Sequence, residues 1–196
     1  MAILLNLALA PSVSIGPTWL LPSVEGALLV VLIIVAPRRA TAHSRVRRLT
    51  LGLTGLVTLA TVVSVGLLVH ELVQKGQSHG ERLLLSGAVL WVNNVLLFGI
   101  WFWEMDRGGP VERFLEPHTL PDFQYPQMEN PEYAHPNWRP GFLDYLYTSL
   151  TNATAFSPTD TMPLTPTAKI VMATQSLTAL LTIGLIVARA VNILGT

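Results

Sequence analysis

Asp144–Pro163, DYLYTSLTNATAFSPTDTMP, lies between a long polar connection and the last apolar segment of the chain. Apolar and aromatic side chains at helical spacing (Phe142, Tyr145, Leu146, Leu150) predict a short helix that begins near Pro140 and runs to about Ala155. Ser157-Pro158 then breaks it, because proline lacks the amide proton a helix interior uses and clashes with the preceding turn. Residues 156–163 contain Pro158 and Pro163 and so cannot form regular helix. Thr165 offers a hydroxyl cap and Pro166 suits the first position of the next helix. A short helix followed by irregular backbone has a special meaning if its flanks cross a bilayer. Such backbone is tolerated there only where protein buries it or where it lines a watery cavity.

The flanks do read as membrane spans. Only 12% of the 196 residues are charged, against roughly 25% in a soluble domain, and the charges are clustered. None falls in 49–69, 83–103, 170–188 or between Gly26 and Ala36, and runs of about 20 apolar residues match a hydrocarbon core of roughly 30 Å. The fold class expected is all-α: an integral membrane protein with four transmembrane helices, at about 18–36, 49–70, 83–103 and 166–192, plus a re-entrant pore-like helix and loop. Two parts follow: residues 1–82 hold the lead-in and helices 1–2, and residues 83–196 hold the pore-like module. A multi-pass protein of the plasma membrane is expected. The N-terminal MAILLNLALAPSV has no Lys or Arg before its apolar run and is read as retained rather than as a signal peptide.

Several polar residues inside or beside the spans are candidates for function or packing. Glu25 is placed at the headgroup boundary. Thr50, Thr54, Thr58 and Thr61, with Gly52, Gly55 and Gly66, suggest close packing with hydrogen bonds between helices. Asn93 and Asn94 fall near the membrane midplane, where an amide needs a partner, and a bond between helices is expected. Gln175, Thr178, Thr182 and Arg189 share one face of the last span, so the first three are candidates to line a pore or to bind a neighbouring helix. The connection 104–144 carries seven prolines and six aromatics, with eight acidic residues against three arginines. It is expected to cap the membrane part, or to act as an acidic vestibule that concentrates cations.

A span followed by helix, irregular loop and helix resembles the pore module of tetrameric potassium channels. Tyr147-Thr148-Ser149-Leu150-Thr151-Asn152-Ala153-Thr154 is similar to the end of their pore helix, and Ala155-Phe156-Ser157-Pro158-Thr159-Asp160 falls where they carry T-V-G-Y-G-D. Pro163 and Thr165 fall on their following proline and threonine. Potassium filters need glycines to aim successive carbonyls at the ion, and this chain has none between Gly141 and Gly184. The resemblance therefore implies a filter loop, Thr154 to Thr161, in which the side-chain oxygens of Ser157, Thr159, Thr161 and Asp160 take the place of carbonyls. A monovalent cation near Asp160 is the ligand implied. Alternatively Thr159 and Asp160 bond the loop's own backbone. The same stretch, with WEMDRGGP, PDFQYPQM and ARAVNILG, resembles a family of uncharacterised bacterial multi-pass membrane proteins, mainly actinobacterial, that share an AFSPTDTMPLT signature.

Function is thus expected to be that of an oligomeric cation channel-like membrane protein, with a tetramer favoured and a degenerate, glycine-free filter loop. The alternative is a non-conducting scaffold or accessory subunit that keeps a channel-like fold. An enzyme is not expected. The histidines at 43, 70, 79, 118 and 135 show no ligand spacing, and no nucleotide or nucleophile motif occurs. No cofactor, no resident metal and no nucleic-acid partner is expected, the net charge being zero. PRRATAHSRVRR, with five arginines between Pro37 and Arg48, favours the cytoplasm, which puts the acidic connection and the loop's entry on that side, as in ionotropic glutamate receptors. A potassium-channel orientation would put it outside.

Overall fold

The computed structural model describes residues 43–74, 80–115, 120–155 and 160–194. The span expected at 18–36, Glu25, residues 37–42 of the arginine-rich loop and the loop tip Phe156–Thr159 lie outside the described residues. Three described helices are long and apolar enough to cross a membrane, with windows at Thr50–Leu67, Leu84–Gly108 and Pro166–Ala188. The protein is therefore mostly helical and compatible with a membrane.

Helix α1, His43–Gln74, and α2, Gly80–Met105, form an antiparallel hairpin. Trp101 Nε1 on α2 donates to Thr58 Oγ1 on α1 at 2.7 Å, and the ring edge of Trp101 lies against Gly55. The other threonines do not cross between helices as their spacing suggests. Thr54 and Thr61 are buried, yet their hydroxyls donate to Thr50 O and Val57 O on the same helix. A hydroxyl four residues along reaches the carbonyl of the preceding turn without a neighbour's help. Gly52 and Gly66 face open space, so Gly55 alone of the three permits a close approach.

Helix α2 is the central element; just over half of its apolar window is enclosed by protein, against about a third for the others. Asn93 and Asn94 are both buried on it. Neither atom of the Asn94 amide finds a hydrogen-bond partner among the described residues. An unpaired buried amide costs about 1–3 kcal/mol. Asn94→Leu, similar in volume, is therefore expected to raise stability by about that amount, read as a higher midpoint of thermal unfolding in detergent. A lower midpoint would show that the amide holds something essential.

Chain direction reverses sharply after α2. Asp106–Gly108 is a 3-10 turn in which Arg107 has φ 51°, and Gly108 and Gly109 follow at 79° and 100°. A side chain on Gly109 would also meet the Glu104 carbonyl at 3.1 Å, so glycine is required there on both counts. Pro110 then opens the short helix α3, Pro110–Leu115. Helix α4, Pro126–Glu129, and a second 3-10 turn, Pro131–Tyr133, lead to α5, Phe142–Ala155, and α6, Pro166–Leu194. Strands β1, Phe123–Gln124, and β2, Met162–Pro163, pair antiparallel, with Phe123 opposite Pro163 and Gln124 opposite Met162. Thr165 caps α6 as expected, its Oγ1 accepting from Ala168 N at 3.3 Å.

The core at this end of the bundle is aromatic. Phe98, Phe102, Phe123, Tyr125 and Tyr145 are buried together with Ala168 and Met172. Tyr145 meets Phe123 and Tyr125 edge-on, at 6.3 and 5.5 Å between ring centres. Edge-to-face pairs add about 0.5–1.5 kcal/mol beyond their buried area, which holds the proline-rich connection down on the helix ends.

Candidate functional site

Two polar clusters fasten the hairpin formed by α5, the loop after it and β2. The first lies at the end of the bundle where α2 stops and α6 starts. Asp106, fully buried, accepts from the Tyr145 hydroxyl at 2.6 Å through Oδ2 and from Asp122 N at 2.7 Å through Oδ1. Arg107 Nε stands 3.8 Å from the same Oδ2. Asp122 in turn accepts from Arg107 N at 3.0 Å and from the Thr165 hydroxyl at 2.6 Å, and its carbonyl accepts from Leu164 N. Arg113 Nη1 donates to the carbonyls of Trp103 and Asp106, with its guanidinium 5.0 Å from the centre of the Tyr145 ring. Burial pushes both Tyr125 and Tyr145 well above the ordinary range of a phenol, and the nearby Asp106 adds to it, so Tyr145 stays a donor.

The second cluster lies deeper. The Ser149 hydroxyl on α5 donates to Val95 O on α2 at 2.7 Å. Gln175 Nε2 on α6 donates to Ser149 O and Oγ at 2.9 and 2.6 Å, and Gln175 Oε1 accepts from Asn152 Nδ2 at 2.8 Å. Asn152 Nδ2 also donates to Met172 O, and the Ser176 hydroxyl donates to Asn152 Oδ1. Ala153 packs in a small core with Val95 and Ala179. Gly99 makes this approach possible: a Cβ there would stand 3.3 Å from the backbone of Leu146.

Together the clusters give the hairpin its geometry. Helix α5 starts beside Trp103, with Phe142 edge-on to that ring at 5.8 Å, and ends beside Val95 and Ala179. From Val95 to Met105 is about 15 Å of α2 at 1.5 Å per residue. Beyond the loop tip, Thr161 Oγ1 accepts from Thr148 on α5 at 3.2 Å and β2 pairs with β1.

Of the residues singled out in the sequence, Phe156, Ser157, Pro158 and Thr159 lie outside the described residues. Thr154, Ala155 and Asp160 are exposed and Thr161 is buried. Thr154 donates to Leu150 O and Thr151 O on its own helix. Gln175, Thr178 and Thr182, the candidates for a pore lining, are all buried within the protomer. Thr178 and Thr182 donate to carbonyls one turn back, and Gln175 joins α5 to α6. The exposed face of α6 is instead apolar, with Ile170, Leu177, Leu181 and Val187. The side chain of Arg189 is outside those described.

Sequence reasoning did not single out Asp106, Arg113, Asp122 or Tyr145 as a unit. A signal was present: an acidic residue directly before Arg-Gly-Gly-Pro is unusual at the end of a span. No group of three or more His, Asp or Glu that could hold a metal occurs among the described residues. Compared with protein-family models, curated proteins and solved structures, the chain matches none.

Proposed function

We propose that this chain is a multi-pass membrane protein of channel-like architecture, in which residues 142–165 form a re-entrant helix and loop. In this reading four copies surround an axis, and Asp160 of each attracts monovalent cations toward a glycine-free filter. The observation that supports it is the anchoring of α5 to α2 and α6 through Ser149, Asn152 and Gln175, with Thr161 brought back against Thr148. Thr154 and Asp160, which flank the loop tip, are exposed, while the polar side chains between α5 and α6 are buried. The likeness to the family with the AFSPTDTMPLT signature belongs to the same proposal.

The test is flux. Protein reconstituted in liposomes is expected to pass potassium or sodium, and Asp160→Asn is expected to lower that flux about tenfold, the low end of what electrostatic focusing contributes. Asp160→Glu is expected to retain most of it. Vesicles with verified, oriented wild-type protein that stay as tight as empty ones would sink the conducting reading. The second reading, a non-conducting scaffold with a channel-like fold, is favoured by one specific observation. Gln175, Thr178 and Thr182 turn inward, so that among the described residues the exposed face of the last helix is mostly apolar.

A further inference from the structure

The end of the bundle that carries the Asp106 cluster also holds a cleft of about 370 Å³, within the range of roughly 300–1,000 Å³ typical of ligand sites. Its walls are Trp103, Arg107, Arg113, Phe114, Trp138 and Arg139, with two prolines. The connection 104–144 contains eight acidic residues and only three basic ones. All three basic residues line this cleft, and no acidic residue does so among the described ones. A segment of net negative charge has thus gathered its cations around one concavity.

The three guanidiniums have different standing. Arg113 is fixed by its bonds to Trp103 O and Asp106 O and by the Tyr145 ring, so it supplies a positive wall. Arg107 has its Nε 3.8 Å from Asp106 Oδ2, behind the cleft wall, and spends Nη2 only on the weak acceptor Met128 Sδ at 3.5 Å. Arg139 is exposed at the mouth. Planar guanidiniums arranged this way suit the paired oxygens of a phosphate. The setting specifies whose phosphate. Trp103 lies near the end of the apolar window Leu84–Gly108, the depth at which tryptophan marks a membrane interface. Phe114, which lines the cleft, is about three-quarters exposed, and its chain neighbour Leu115 about two-thirds, apolar surface suited to acyl chains rather than water. The arginine-rich start of α1 is at this same end. Arg47 Nε and Glu104 Oε2 lie 3.5 and 3.6 Å from the position a Cβ on Gly109 would take.

We infer that this cleft is a binding site for the phosphate headgroup of an anionic phospholipid from the leaflet at the arginine-rich end. It depends on the protein's lying in a membrane, not on conduction, and stands whether or not the flux test succeeds.

The experiment uses the full chain in detergent, titrated with phosphatidylglycerol or with phosphatidylcholine and read by native mass spectrometry as lipid retained per protomer. Phosphatidylglycerol is expected to be retained and phosphatidylcholine not. Arg139→Gln, at an exposed loop position, is expected to weaken retention about tenfold or more. Lys169→Gln removes an exposed cation near the start of α6, outside the cleft, and is expected to leave retention unchanged. Equal retention by wild type and Arg139→Gln, or equal loss in both variants, overturns the site. Displacement of the lipid by millimolar inorganic phosphate or glycerol phosphate overturns the lipid as its source and assigns the cleft to a soluble phosphate.

Discussion

Asp106→Ala is expected to destabilise the protein by about 3–5 kcal/mol, the usual result of removing one partner from a buried charged pair. The carboxylate has no exposed surface and holds three separate things: the Tyr145 hydroxyl, the Asp122 amide and the Arg107 guanidinium. Its loss leaves a buried phenol and a buried amide without acceptors and takes the counter-charge from beside Arg107 and Arg113. Each loosened contact belongs to a different part of the chain: α5, the strand that pairs with β2, and the turn after α2. Asp106→Asn keeps one acceptor and the shape, so about half the loss is expected. Tyr145→Phe removes a single bond to a charged group, about 1.5–3 kcal/mol. Unfolding followed by denaturant in detergent, with proteolysis of the connection 104–144 as a second readout, measures all three. If Asp106→Ala costs less than about 1 kcal/mol, water replaces the carboxylate and the cluster is not a clamp.

The three apolar spans of the described residues were legible because they depend on local chemistry. Charge-free runs set the length of α2 and α6, proline positions set where α3, α4 and α6 begin, and the Thr165 hydroxyl caps α6 as its spacing suggests. The direction of side chains was not legible to the same degree. Thr178 and Thr182 share a face with Gln175, and a polar face can point to a lumen or to a neighbour. Periodicity is identical in both cases; the contact with α5 decides between them. Thr54 and Thr61 show the same limit, since a hydroxyl that bonds its own helix has the spacing of one that bonds another.

The Asp106 cluster was illegible for a different reason. Its members come from positions 106, 107, 113, 122, 145 and 165, and their proximity results from the reversal at Arg107-Gly108-Gly109 and the pairing of β1 with β2. WEMDRGGP, PDFQYPQM and AFSPTDTMPLT read as three separate motifs in the sequence. In the fold they meet: Asp106 holds the Asp122 amide, Asp122 holds Thr165, and Gln124 pairs with Met162. Short motifs far apart in a chain are brought into one cluster by backbone turns that only glycine and proline chemistry hints at.

Gln175→Ala is expected to cost about 3.5 kcal/mol, the sum of three hydrogen bonds at about 0.6 kcal/mol each in a bilayer and a cavity cost of similar size. The side chain has no exposed surface, and its amide is bonded at both ends to α5. Gln175→Leu fills the space and removes only the bonds, so a loss nearer 2 kcal/mol is expected. Pairing Gln175→Ala with Asn152→Ala tests the link directly. The two side chains touch, so the double variant is expected to lose less than the sum of the single ones by about 0.5–1 kcal/mol. A residue that lines a lumen behaves in the opposite way: truncation alters flux and leaves stability alone, with no coupling to Asn152. An uncoupled, stability-neutral Gln175→Ala with changed cation flux would therefore move this glutamine from the joint between α5 and α6 to the wall of a path. The expected result, coupled destabilisation, fixes it as the bolt that holds the deep end of α5 in place.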